Sequence, residues 1–105
     1  MLIVETSVFT QRLTVLMHDE DYRRLQVSLM LNPEIGSVIP HSGGLRKLRW
    51  GLEGRGKRGG ARVIYYWEPS REMILMLLVY PKNEQDDLSP EQAGILSNLV
   101  KEEFK

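Results

Sequence analysis

Residues 43–67 read GGLRKLRWGLEGRGKRGGARVIYYW, and two strand-like runs in this stretch flank a loop made almost wholly of glycine and positive charge. In Leu45–Trp50, side chains alternate across a strand with period two, so Lys47 and Arg49 share one face. Ala61–Glu68 is the clearer strand, rich in Val, Ile, Tyr and Trp. The loop between them, Gly51–Gly60, holds five of the nine glycines, so its backbone can approach a phosphate closely and take positive φ without penalty. It is expected to vary in conformation while no ligand is bound. From Leu45 to Arg62 lie Arg46, Lys47, Arg49, Arg55, Lys57, Arg58 and Arg62, seven of the fourteen basic residues, against Glu53 alone. A formal net charge of zero therefore conceals about +6 here and about −6 elsewhere. A polyanion is the natural partner for such a segment.

Working outward, Glu68-Pro69-Ser70-Arg71 is a turn with proline at its second position, and it is too short for a parallel crossover. The strand Met73–Tyr80 that follows must then pair antiparallel with its predecessor. Its nearly continuous apolar character predicts burial on both faces and a central place in the sheet. After the polar loop Pro81–Leu88, Ser89-Pro90-Glu91-Gln92 forms a capping box that opens a last helix striped by Ala93, Leu96, Leu99, Val100 and Phe104. Upstream, Leu2–Val4 can begin a sheet, and Thr6 or Ser7 caps a helix with Phe9, Leu13, Leu16 and Met17 at helical spacing. His18-Asp19-Glu20-Asp21 starts a second helix faced by Tyr22, Leu25 and Leu29, and Asn32-Pro33 ends it. The link is short, so the two helices should form a hairpin. Glu34–Gly44 is an irregular connection with a brief extended piece at Val38-Ile39. The expected class is α+β, in the order β-α-α-β-β-β-α.

At 105 residues the chain is expected to be a single domain spanning 1–105, with one modest core. Cysteine is absent, which removes disulfides, thiolate metal sites and a Cys nucleophile. The longest apolar run falls far short of the roughly 20 residues a bilayer requires, and the amino terminus lacks a signal-peptide layout, so a cytoplasmic location without membrane contact is expected. His18 and His41 stand alone, without paired carboxylates at ligand spacing, and no metal is assigned. The glycine-rich loop matches neither a Walker pattern nor GxGxxG. The methionines at 17, 30, 73 and 76 need no role beyond filling the core.

The chain resembles the toxins of the RelE/ParE superfamily, and the HigB-type members in particular. The resemblance covers nearly the whole length. It is carried by Leu31-Asn32-Pro33, by Gly43-Gly44-Leu45-Arg46-Lys47-Leu48-Arg49, by Gly56–Tyr66, and by Tyr80-Pro81-Lys82-Asn83-Glu84 ahead of Asp87-Leu88. It implies a small curved antiparallel sheet with an N-terminal helical hairpin and a C-terminal helix. In function it implies a type II toxin, restrained by a HigA-like helix-turn-helix antitoxin, that cleaves messenger RNA on the ribosome and so inhibits translation. No cofactor is implied, and the isolated toxin is expected to be monomeric.

Residue by residue, the basic pair of the family's second strand corresponds to Lys47 and Arg49, and the arginine of its third strand to Arg62. A further basic position after the last strand corresponds to Lys82, with Asn83 as the other candidate. Where RelE has a tyrosine, this chain has Ser89. The catalytic set is therefore Lys47, Arg49, Arg62 and Lys82. Lys47 is the candidate proton acceptor, because a lysine among cations can yield its proton as arginine cannot. Lys82, and more distantly Tyr66, is the candidate donor. Arg46, Arg55, Lys57, Arg58 and Tyr66 are candidates for RNA binding, although Tyr65 and Tyr66 are open to core packing as well as base stacking. Two other readings stay open: a ParE-like toxin that poisons DNA gyrase on a similar fold, and a basic RNA-binding module without activity.

Overall fold

The computed structural model describes residues 1–52 and 60–105. The elements run β1 (Leu2–Glu5), α1 (Ser7–Leu16), α2 (Asp19–Leu31), β2 (Ser37–Val38), β3 (Arg46–Trp50), β4 (Ala61–Glu68), β5 (Met73–Pro81) and α3 (Pro90–Glu103). A one-turn 3₁₀ helix, Pro69–Arg71, joins β4 to β5. The fold is α+β, built on one open five-stranded sheet in the order β1-β5-β4-β3-β2. The expected order of elements is present with one strand added, β2 at Ser37–Val38, in place of the brief extended piece expected at Val38-Ile39, and β5 is interior, as its apolar run requires. Among the described residues no helix is long and apolar enough to cross a membrane.

One expectation needs correcting. The sheet is mixed rather than wholly antiparallel, because β1 lies parallel to β5, with Leu2 opposite Met73 and Glu5 opposite Met76. The turns that force antiparallel pairing act only between strands joined directly. β1 is separated from β5 by both N-terminal helices and three other strands, so no turn sets its direction. Thr6 completes the junction: its hydroxyl accepts from the Phe9 N–H as the cap of α1 and donates to the Leu77 carbonyl at 2.9 Å.

Each sheet face carries its own apolar cluster. Under α1 and α2, Phe9, Leu13, Leu25 and Leu29 pack with Leu48, Val63, Tyr65, Ile74, Met76 and Val79. Under α3, Leu96 and Val100 pack with Leu45, Ile64, Leu75, Leu77 and Tyr80. Strict alternation along β5 would put Tyr80 on the first face, with Ile74 and Met76. Ile64 instead pairs with Leu78 and Tyr65 with Met76, leaving Leu77 as one additional residue on β5. This irregularity shifts the phase of the strand and turns Tyr80 onto the α3 face, directly across from Arg62.

The β2–β3 connection depends on backbone that only glycine adopts readily, with φ of +75° at Gly43 and +102° at Gly44. Buried Ser42 closes that turn by donating to the Ile39 carbonyl and accepting from the Leu45 N–H.

Candidate anion-binding site

Lys47 and Arg49 project from the same face of β3, as period two requires. Register then adds the third member: Arg49 pairs directly with Arg62 of β4, and Lys47 with Ile64. Since Leu45 and Ile64 belong to the cluster beneath α3, this is the α3 face of the sheet. Lys82 follows β5 immediately, its N–H donating to the Gly60 carbonyl at 2.9 Å. Arg49, Arg62 and Lys82 together line a hollow of about 220 Å³ with Trp50, Gly51 and Gly60. An adjoining hollow of about 610 Å³ is lined by Lys47, Arg49 and Asp87 and by the edge segment 35–40. Arg49 belongs to both, so the four cations form one continuous tract. β3, β4 and the end of β5 supply them.

Arg62 is the least exposed of the four, at 5%. Burying a guanidinium requires an anion and hydrogen bonds in compensation. Asp86 provides both: its Oδ1 accepts from Nε at 3.1 Å and lies 3.0 Å from Nη2, so one carboxylate oxygen fills the fork. Next to it, Asp87 is ion-paired with the Lys47 ammonium. Tyr80 anchors the loop that bears both acids, its hydroxyl donating to the Asp86 carbonyl at 3.1 Å. Burial is the main reason the Tyr80 hydroxyl is pushed up to about 12, with Asp87 adding to the effect and Arg62 opposing it. The Asp86 carboxyl is held below the usual carboxylate value, chiefly by its hydrogen bond from Arg62 and then by the charges of Lys47, Arg62 and Arg49.

Sequence reasoning missed Asp86, Asp87 and Tyr80 as parts of this site. The signal was an acidic doublet four and five residues beyond Lys82, placed by sequence in a loop with no period to orient it.

Other candidates lie elsewhere. Arg46, one residue out of phase with Lys47, is on the opposite face, where it donates to the carbonyls of Gly36 and Glu34 and pairs with the Glu34 carboxylate at 3.3 Å. Tyr65 is fully buried; its hydroxyl donates to the Pro33 carbonyl and accepts from the Gly36 N–H. Tyr66 shares the α3 face but packs on Phe104, 5.7 Å between ring centroids, four residues along β4 from Arg62. Asn83 lines a different hollow with Arg12 and Glu84 beside α1, which leaves Lys82 as the residue facing the tract. The Ser89 hydroxyl accepts from the Gln92 N–H as the cap of α3. Arg55, Lys57 and Arg58, with most of the Gly51–Gly60 loop, lie outside the described residues. Among the described residues, no group of three or more His, Asp or Glu side chains is placed to share a metal ion.

Chemically, the tract can hold a chain of phosphates and offers both planar guanidinium forks and primary amines. A scan against protein-family models finds none that matches this chain.

Proposed function

We propose that this chain is a RelE-type endoribonuclease, the toxin of a type II toxin–antitoxin pair, which cleaves messenger RNA held on the ribosome without a metal ion. One observation carries the reading. Four cations drawn from three segments of the chain, Lys47 and Arg49, Arg62, and Lys82, converge on one stretch of the sheet. Phosphoryl transfer needs positive charge aimed at the phosphate, whereas a gyrase poison has no such requirement.

In the reaction, Asp87 first leaves Lys47, and the ribose 2′-oxygen then attacks the adjacent phosphorus while its proton passes to Lys47 acting as the neutral amine. Arg49 and Arg62 hold the non-bridging oxygens as charge builds there, each through two parallel N–H groups. The P–O5′ bond breaks, Lys82 donates a proton to the departing oxygen, and the products are a 2′,3′-cyclic phosphate and a 5′-hydroxyl. Aligning the attacking oxygen with the scissile bond falls to the ribosome, a positioning effect that can supply several kcal/mol. The antitoxin, a helix-turn-helix protein by resemblance, blocks the basic face.

Induction of the chain in growing cells, with translation and the DNA-damage response followed together, tests the reading. Immediate arrest of synthesis with new 5′-hydroxyl ends in messages supports it. Damage signalling without cleavage supports the gyrase alternative, and RNA binding without cleavage supports the inactive module. Full toxicity of the Lys47→Ala/Arg49→Ala/Arg62→Ala triple variant, or cleavage that stops when metal is chelated, would sink it.

A further inference from the structure

Asp86 and Asp87 occupy the positions that a ligand's phosphates need. The Nε/Nη2 edge of Arg62 is the edge that grips an oxyanion, and Asp86 Oδ1 already sits in it at 3.1 and 3.0 Å. Arg62 is 5% exposed and its Nη1 is directed at the Ala61 carbonyl, 3.5 Å away, so the Nε/Nη2 edge is the one a phosphate would use. Lys47 is alike: its side chain is 16% exposed, and its ammonium is taken by Asp87. Both carboxylates face solvent, at 59% and 75% side-chain exposure, so each can swing out into water, and a phosphate that takes the place of Asp86 supplies the anion that buried Arg62 requires. The cations are held by the sheet, and the acids by a loop.

We infer that Asp86 and Asp87 act as an internal counterfeit of two consecutive phosphates, which must be ejected before RNA can bind and which set the class of ligand the site accepts. The inference rests on the RNA-binding reading of the same tract and adds its selectivity. A ligand with one phosphate displaces one tethered carboxylate and gains one cation in return, an exchange of one anion for another. A single strand presents successive phosphates to Lys47, Arg49, Arg62 and Lys82 together, so one binding event replaces both acids. Ligands such as inorganic phosphate or a 5′-mononucleotide are excluded, and a continuous strand is admitted. When the competent state is only a fraction of the population, apparent affinity falls by that fraction. Removing the carboxylates restores it.

The test is equilibrium binding of a single-stranded RNA dodecamer, 2′-O-methylated throughout so that it cannot be cleaved, to wild type, Asp86→Asn, Asp87→Asn and Glu20→Gln. The last removes one exposed acid on α2 and controls for net charge. Expected is a gain of about tenfold in affinity for each Asp→Asn variant, as for a site occupied nine-tenths of the time by its own acids, with little change for Glu20→Gln. Inorganic phosphate should compete poorly against wild type and better against the Asp→Asn variants. Affinity that is unchanged or weaker in Asp87→Asn, while Arg62→Ala abolishes binding, overturns the inference and leaves the RNA reading intact. A wild type that binds no RNA, with Asp→Asn variants that bind none either, overturns both. Equal gains in all three acid variants would mean bulk charge and overturn the inference alone. If Asp86→Asn folds poorly, Asp87→Asn decides, because Asp87 pairs with Lys47 and not with the buried guanidinium.

Discussion

Arg49 and Arg62 stand directly opposite each other on adjacent antiparallel strands, two like charges in a position where such pairs destabilise a sheet. Asp86 lies close enough to feel both, and its carboxylate offsets the repulsion. Arg49→Thr should therefore be nearly neutral to stability in wild type and stabilising by ~0.2–1 kcal/mol in an Asp86→Asn background, the usual range for a cross-strand pair. Urea unfolding of the four members of this cycle measures it. Additive effects would show that the arginines do not interact through Asp86.

The acid limb of stability should carry the Asp86 signature. Its folded-state carboxyl is depressed relative to the unfolded chain, so its contribution is fully present above about pH 4 and is lost as pH falls through the lower, folded value. Asp86→Asn should lower the melting temperature near neutrality, and the gap from wild type should close as pH falls below about 4. A gap that persisted unchanged into strong acid would mean that the asparagine acts through packing rather than charge.

Arg62→Ala should reduce single-turnover cleavage by about 3 kcal/mol, the scale of one lost transition-state donor. Arg62→Lys restores charge but not the fork, and it should recover little. Recovery to near wild-type rate in the lysine variant would reduce the role of Arg62 to a point charge.

RNA binding should weaken with salt, since each neutralised phosphate of a single strand contributes about −0.7 to the slope of log K against log salt. Replacing Lys47 or Lys82 by alanine should flatten the slope by about that amount each. Arg46→Ala should leave it unchanged, because its guanidinium serves the 34–36 segment on the other face. A flattened slope in Arg46→Ala would bring that face into the interface.

Tyr65→Phe should cost about 1–3 kcal/mol of stability, because it leaves the Pro33 carbonyl and the buried Gly36 N–H without their partner. Gly36→Ala should fail in the same place, where a Cβ would stand 2.9 Å from the Tyr65 ring and 3.0 Å from the Lys47 carbonyl. Thermal denaturation of both variants, compared with Tyr66→Phe, checks this. Equal stability of the two tyrosine variants would show that the hydroxyl bonds contribute nothing.

What was legible in the sequence followed from local periodicity. Alternation put Lys47 and Arg49 on one face, the capping box at Ser89 opened α3, and the apolar run 73–80 made β5 interior. What required long-range geometry was not legible. Arg62 meets Arg49 through strand register, which alternation within one strand does not specify. The acidic doublet sits in a loop, where spacing says nothing about direction. Alternation predicts the wrong face for Tyr80, because the additional residue at Leu77 has no signature within a run of apolar side chains. Arg46 shows the converse: composition grouped it with the other cations, and period two already separated it from them.

That additional residue makes the site a matter of parity. Everything after Leu77 leaves the sheet on the side it does because the strand is one residue longer than its partner there. Deleting Leu77 would keep the hydropathy of β5 almost intact while exchanging the faces of Leu78, Val79 and Tyr80, which would carry the Lys82–Asp87 segment away from Lys47 and Arg62. In a lineage of related chains, apolar substitutions along β5 that spare the Tyr80 hydroxyl can therefore be accommodated. Changes of length there cannot, and an insertion or deletion would be inherited only with a second one that restores the count.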